Sequence, residues 1–329
     1  MKLEDIGFYT LSDRRAMNTS PTSPLMRCEL VLTERCNFNC PYCRGLRSDC
    51  AGDMPRDVAM SVVDEWIKHG LKNVRFTGGE PTLYPHLEDL VKRCSSGGVN
   101  RIALSTNGSA SWSKYSRLLD IGVSDFSISL DGGCCSIGDA MSGGAKGAWN
   151  KVVENIRRLS AETYVSVGMV FTEQNVSQAV ETVMLAHSLG VSDIRVVPSA
   201  QFNQALCNLS ELPDYVLAKY PILKYRIDGI KQGRHVRGLQ PGDCSTCWLG
   251  LDDIAVVSRW HFPCIIHLRE GGDPIGGAGP NMRNERAEWV ANHNAFKDPI
   301  CVANCLDVCR DYNAKVTAFK AKEARDANS

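Results

Sequence analysis

Apolar residues recur along this chain in two alternating rhythms. Residues 28–33 form a short, mostly apolar stretch of the kind a buried strand needs, and 74–77, 102–105, 126–130, 165–171 and 194–197 repeat it. Between these stretches the spacing turns helical. Asp53 and Pro55 start a helix through His69, with Gly70 as its stop, and further helices are expected at 87–94, 112–119, 149–159 and 176–189. Strands alternating with helices call for a parallel sheet with right-handed crossovers. Six such units predict an α/β chain folded as a partial, TIM-like (β/α)6 barrel.

From about Gln201 the alternation stops. Residues 214–230 read as a helix broken at Pro221, and past Gly233 the chain becomes rich in cysteine, glycine and short strand-like runs such as 254–257. These shifts divide the chain into a cover segment (1–27), the barrel (28–200), a helical linker (201–240) and a cysteine-rich carboxyl-terminal domain (241–329). Residues 315–329 have the pattern of a charged, fraying helix.

A length of 329 residues is ample for a buried core. Lys+Arg and Asp+Glu both total 37, so no global basic field exists to draw in nucleic acid, and no nucleic-acid partner is expected. Met1-Lys2-Leu3-Glu4-Asp5 lacks an apolar signal core and no run approaches a membrane span, so a cytoplasmic protein without a membrane partner is expected. Fifteen cysteines, odd in number and clustered, argue against a disulfide framework. Metal-cluster ligation in a reducing compartment is the alternative, and it implies oxygen sensitivity.

Cys36, Cys40 and Cys43 stand at C-x3-C-x2-C spacing just after the first expected strand. Three thiols on one tight loop suit a soft metal centre. An iron–sulfur cluster normally takes four thiolates, so three leave one iron open to a substrate or cofactor. Further on come Gly78-Gly79-Glu80-Pro81, Thr106-Asn107-Gly108 and Ser129-Leu130-Asp131-Gly132, each after an expected strand. Barrel chemistry sits on such loops.

With Tyr42 in the aromatic slot, this set resembles the radical S-adenosylmethionine (radical SAM) superfamily, whose signature is C-x3-C-x-aromatic-C. The match covers roughly residues 28 to 200. The resemblance implies that Cys36, Cys40 and Cys43 hold three irons of a [4Fe–4S] cluster and that S-adenosylmethionine occupies the fourth. One electron then cleaves S-adenosylmethionine to methionine and a 5′-deoxyadenosyl radical, which abstracts hydrogen from a substrate. It also assigns Gly78, Gly79 and Glu80 to the methionine amino group, Thr106, Asn107 and Ser129 to cosubstrate or substrate, and the backbone of Val197 to the adenine, with Tyr42 beside it. Helix capping and turn formation are the ordinary uses of the same residue types.

A second cysteine group comprises Cys244, Cys247, Cys264, Cys301, Cys305 and Cys309. It is similar to the auxiliary-cluster extensions called SPASM and twitch. That similarity implies an auxiliary [4Fe–4S] cluster on Cys247, Cys264, Cys301 and Cys305, with Cys309 and Cys244 in reserve; a zinc ribbon is the other reading of the spacing. His261 and His267 flank Cys264 and are candidates either to tune that site or to be surface or satisfied core histidines. Cys134 and Cys135, after Asp131-Gly132-Gly133, are candidate hydrogen-atom donors, as in some epimerases of the family, or incidental loop residues. Cys28, Cys50, Cys94 and Cys207 read as buried small hydrophobes. Arg75 and Arg195 are candidates either to reach a carboxylate or phosphate in the barrel mouth or to form structural ion pairs.

The expected function is a radical SAM enzyme that abstracts hydrogen from a small molecule, sugar, nucleotide or peptide for rearrangement, epimerisation, oxidation or cross-linking, using an external one-electron donor such as flavodoxin or ferredoxin. A peptide-maturation enzyme and a non-catalytic iron–sulfur scaffold or redox sensor are the alternatives. The glycine-rich carboxyl terminus of the GTP cyclase of molybdenum-cofactor synthesis is absent, so that reaction is not assigned.

Overall fold

The computed structural model describes residues 11–45, 48–200, 202 and 206–327. Met1–Asp5 and the side chain of Cys207 therefore lie outside the described residues. Six strands come in the expected order: β1 (Arg27–Val31), β2 (Asn73–Thr77), β3 (Arg101–Thr106), β4 (Asp125–Ser129), β5 (Tyr164–Phe171) and β6 (Asp193–Pro198). Each pairs in parallel with its sequence neighbour. The helices between them include Arg56–Lys68, Leu87–Ser96, Trp112–Asp120, Ala148–Glu162 and Ala179–Ser188. This is the unclosed α/β barrel that the alternation predicts.

The sheet does not stop at six strands. β7 (Asp253–Val257) adds to the free side of β1 in parallel, and β8 (Trp260–Phe262) and β9 (Gly276–Gly277) follow antiparallel, giving nine strands in the order β6-β5-β4-β3-β2-β1-β7-β8-β9. Residues 254–257, expected in a separate domain, thus extend the barrel sheet. Nor is 201–240 a free linker. Leu209, Val216, Tyr220, Leu223 and Ile227 belong to the main apolar core, and the helices Asp214–Lys219 and Pro221–Lys231 pack beside β6, where the Ile222 N–H donates to Asp193 at 3.4 Å. The described part of the cover segment packs on the last helix, Asp307–Asp326, through Ala16, Tyr312 and Val316. That helix begins earlier than the charged pattern of 315–329 indicates.

Register divides the sheet into two unlike faces. Because side chains alternate along a strand, Leu30, Phe76, Leu104, Phe126, Val167 and Ile194 face the helices and are fully buried. The opposite face carries Glu29, Arg75, Ala103, Asp125, Ser166 and Asp193 low in the barrel and Thr77, Ser105, Ser127, Ser129 and Gly168 near the carboxyl ends. Neither Arg75 nor Arg195 lines the mouth, and the charge of Arg195 reaches back to Asp193 and Tyr164 in the lower, charged layer. Small polar residues above it leave room for a ligand.

The carboxyl-terminal region has little apolar core of its own and is fastened by buried arginines. Arg286, fully buried, donates to the carbonyls of Gly250 (2.7 Å), Phe262 (2.8 Å) and Pro263 (3.1 Å) and to that of Asp253. Arg283 donates to the carbonyls of Leu251 (2.5 Å) and Ser23 (2.8 Å), Arg310 to those of Gly238 and His235 (both 2.6 Å), and Arg15 pairs with Asp252 at 2.5 Å. Replacing Arg286 by Met leaves those buried carbonyls without a donor, and the Tm is expected to fall by about 5 °C or more. An unchanged melting curve would show that Arg286 is not a clamp.

Candidate functional site

The cysteine loop is shaped by its fit to the turn after β2. Leu32 N–H donates to Thr77 O (2.9 Å), Gly79 N–H to Thr33 O (2.7 Å) and Glu80 N–H to Arg35 O (2.7 Å). A Cβ on Gly78 would stand 2.5 Å from Thr33 O, and one on Gly79 2.3 Å from Arg35 O. These glycines are thus required by the protein's own backbone, whatever ligand lies beyond them. Arg35 then grips Asp53 through Nε (2.9 Å) and Nη2 (2.7 Å).

Past Arg35 the three thiols open toward a cleft of about 390 Å³ at the carboxyl ends of the strands. It is lined by the cysteines and Tyr42, by Gly78 and Gly79, and by Ser105, Ser127, Ser129 and Gly168 from the floor. Cys36 and Cys43 are exposed and Cys40 is half-buried. Phe38 N–H and Asn107 Nδ2 donate to Cys36 Sγ at 3.4 and 3.8 Å. The Tyr42 hydroxyl donates to Asp131 Oδ2 (2.5 Å), and Asp131 Oδ1 accepts from Val170 N–H (2.7 Å), tying the loop to β5. Burial, reinforced by Asp131, pushes the Cys40 thiol up to about 12. Ligation would have to supply the positive charge that makes it a thiolate.

Glu80 departs from its expected part. Its fully buried carboxylate accepts from Thr82 N (3.0 Å), Thr82 Oγ1 (2.6 Å), Thr106 Oγ1 (2.8 Å) and Asn107 N (2.7 Å), so it clips the loops after β2 and β3 together and has no face on the cleft. Thr106, likewise, gives its hydroxyl to Glu80. Asn107 bonds Asn37 (2.9 Å) as well as Cys36, and is a brace for the cysteine loop. Ser129 lines the cleft as expected, whereas at the end of β6 the lining comes from Ser199 and Ala200 beyond Val197.

Cys134 and Cys135 are brought to neither wall of the cleft. The chain turns outward at Gly133, where an added Cβ would meet Glu181 at 3.1 Å, and Cys134 caps the helix Cys135–Met141 beside Gln178. The hydrogen-donor reading is therefore withdrawn. Asp131, though inside the Ser129-Leu130-Asp131-Gly132 motif, was given no role of its own, and three arginines of the cleft, Arg44, Arg237 and Arg269, were missed; of these only Arg44, next to Cys43, carried a positional hint.

The second group gathers five thiols. Burial raises Cys247, Cys264, Cys301, Cys305 and Cys309, Cys264 to about 12, and repulsion from neighbouring thiols of the group adds to it at Cys264, Cys301, Cys305 and Cys309. Among the described residues, the one set of three ligating groups whose atoms all lie within 4.8 Å of one another is His293, Asp298 and Cys301. No three of the sulfurs approach so closely, in either cysteine group. Tetrahedral zinc with bonds of about 2.3 Å needs sulfurs about 3.8 Å apart, and no three thiols of either group stand that close together. His267 Nε2 bonds Asp298 at 3.1 Å, next to this group. His261 is instead a satisfied core residue: burial and Arg286 lower it to about 4, with Nε2–H donating to Glu285 at 2.9 Å.

Two predictions follow from this geometry. Glu80→Gln turns an acceptor of four hydrogen bonds into a group that carries donors of its own, so reconstituted iron is expected to fall at least about threefold at unchanged expression; iron equal to wild type would show that the clip does not shape the loop. Hydrogen bonds from Ser136 and then Gln178 lower the Cys134 thiol to about 7. It should be protonated and slow to alkylate below pH 7 and fast above it, whereas an ordinary thiol midpoint of about 8.5, read by mass spectrometry of its peptide, would refute the assignment.

Residues 30–186 match the family model of the Radical SAM superfamily. The chain is 25% identical over 213 residues to a probable GTP 3′,8-cyclase of Sulfurisphaera tokodaii (63% of this chain, 67% of that one), and 28% identical over 187 residues to the PqqA peptide cyclase of Rhodopseudomonas palustris (56% and 49%). It spans about two thirds or less of the length of the curated relatives it matches. Among solved structures, anSMEcpe with bound AdoMet shares the fold at a TM-score of 0.60 and 15% identity, over 92% of this chain and 95% of that one. The motif loop on β1 and the open parallel barrel agree with the family-model match: residues 30–186 carry a radical SAM superfamily domain.

Proposed function

We propose that this protein cleaves S-adenosylmethionine reductively in the cleft above β1–β6 and uses the product to abstract hydrogen from an organic substrate held there. The observation that carries the reading is the convergence of three open thiols, the Gly78–Gly79 turn and a floor of small polar side chains on one cleft. Cys36, Cys40 and Cys43 would hold a [4Fe–4S] cluster; when bound, it supplies the electron that splits S-adenosylmethionine into methionine and a 5′-deoxyadenosyl radical. The chain's own residues do the positioning. Asn107 and Phe38 N–H orient Cys36, Tyr42 on Asp131 fixes the loop between Cys40 and Cys43, and Ser105, Ser127 and Ser129 offer hydroxyls toward whatever lies in the cleft. An external one-electron donor such as flavodoxin or ferredoxin completes the scheme.

We further propose an auxiliary cluster on Cys247, Cys264, Cys301 and Cys305, with Cys309 as the fifth thiol of the group. That no three of these thiols stand within 4.8 Å of one another supports it over a single zinc ion held by thiolates.

Anaerobic reconstitution followed by S-adenosylmethionine and dithionite tests both parts. Wild type is expected to form 5′-deoxyadenosine, the triple Ala variant of Cys36, Cys40 and Cys43 to form none, and Cys264→Ala to lose about half of the bound iron. Iron without deoxyadenosine would establish a cluster scaffold in place of an enzyme, and zinc in place of the second half of the iron would sink the auxiliary cluster.

A further inference from the structure

Three cations line the cleft, and two of them are answered within the protein. Arg269 donates to Gly45 O and Gly78 O, both at 2.8 Å, and faces the thiols of Cys43 and Cys36. Arg44 pairs with Glu270. Arg237 differs. It is 9% exposed, its Nε donates to Pro198 O at 3.3 Å, and its Nη1 is buried without a hydrogen-bond partner among the described residues. The charges that reach it are both positive, Arg44 and Arg226, and Arg226 is itself committed to Asp307 at 2.6 Å. Burial, then those two cations, lower Arg237 to about 10. Glu34 is the carboxylate on the cleft's lining, and no ion pair joins it to Arg237 among the described residues.

A guanidinium kept out of water without a counter-ion is costly unless something supplies the missing charge. We infer that Arg237 seats an oxyanion of the substrate, a carboxylate or phosphate group, at the β6 side of the cleft. This rests on the proposed reading that the substrate occupies this cleft. The position sets it apart from the cosubstrate's own carboxylate. Arg237 bonds Pro198 O at the end of β6, whereas Arg269 is the cation that bonds Gly78 O, at the turn expected for the methionine end. Planar, forked donors suit such an anion better than a point charge does.

The test uses the full chain, reconstituted and anaerobic, with pyrophosphate and succinate as separate probes at matched ionic strength. Either probe at about 10 mM is expected to raise the wild-type Tm by about 2 °C or more, because a ligand of the folded state stabilises it. In Arg237→Met and, as a second variant, Arg237→Gln, the shift should shrink at least about fivefold. A response to pyrophosphate alone assigns a phosphate, and to succinate alone a carboxylate; both support the seat. It is overturned if neither probe shifts wild type, or if either folded variant responds like wild type. Loss of S-adenosylmethionine binding in the variants, by equilibrium dialysis, would also overturn it, since Arg237 would then serve the cosubstrate. Probe binding needs no turnover, so wild type that binds an oxyanion yet forms no 5′-deoxyadenosine faults the proposed reaction and not the seat.

Discussion

One buried carboxylate holds the reaction face together. Glu80 collects four donors from Thr82, Thr106 and Asn107, while its own N–H is bound to Arg35 O. Three loops, after β1, β2 and β3, therefore meet at a single residue, the first at its backbone N–H and the other two at its carboxylate. Burial raises Glu80, and the donors around it offset that by favouring the ionised form. Such charge-assisted bonds are stronger than neutral ones and leave little slack. Asn107 reaches Cys36 because its backbone is fixed by Glu80, so the position of the Cys36 thiol depends on a residue that does not touch it.

The same economy governs the barrel. Its helix-facing side chains are large and apolar, and its inner face is small and polar at the top and charged below, where Arg27 meets Asp253 at 2.7 Å and Arg101 meets Asp125 at 3.5 Å. A closed, apolar-filled barrel would leave no cleft. Here the sheet is left open between β6 and the β7–β9 ribbon, and the carboxyl-terminal segment crosses that opening: Gly238 N–H donates to Cys305 O at 3.0 Å and Leu239 N–H to Val302 O at 2.9 Å. Arg237 enters the cleft from this crossing.

What was legible in the sequence follows from which interactions are local. Strands β1 to β6 and their helices were readable because apolar periodicity and caps such as Ser111, which accepts from Lys114 N–H, lie within a few residues. The three thiols were readable from spacing alone. The placement of β7 beside β1 was not, because pairing Arg27 with Asp253 joins residues far apart in sequence and β7 shows only a short apolar run. Glu80 was misread for a related reason: its motif named a family role, while its partners Thr106 and Asn107 come from the next loop. Cys134 failed on direction, since an expected strand end does not say which way the following turn runs.

The two cysteine groups are mechanically joined, and this bears on how either can be loaded. Cys264 caps the helix Ile265–Arg269, its sulfur accepting from His267 N–H at 3.4 Å, and Arg269 at the other end holds Gly45 O beside Cys43 and Gly78 O beside the cysteine loop. Five helical residues span about 7.5 Å. The path from Cys264 to the carbonyls that border the first set of thiols is therefore one short helix and one side chain. The region carrying Cys264 has only small apolar clusters of its own and leans on arginine clamps, so the energy that orders it comes from polar contacts and whatever its five thiols bind. Order in the carboxyl-terminal group is in this sense a condition for order at the cleft.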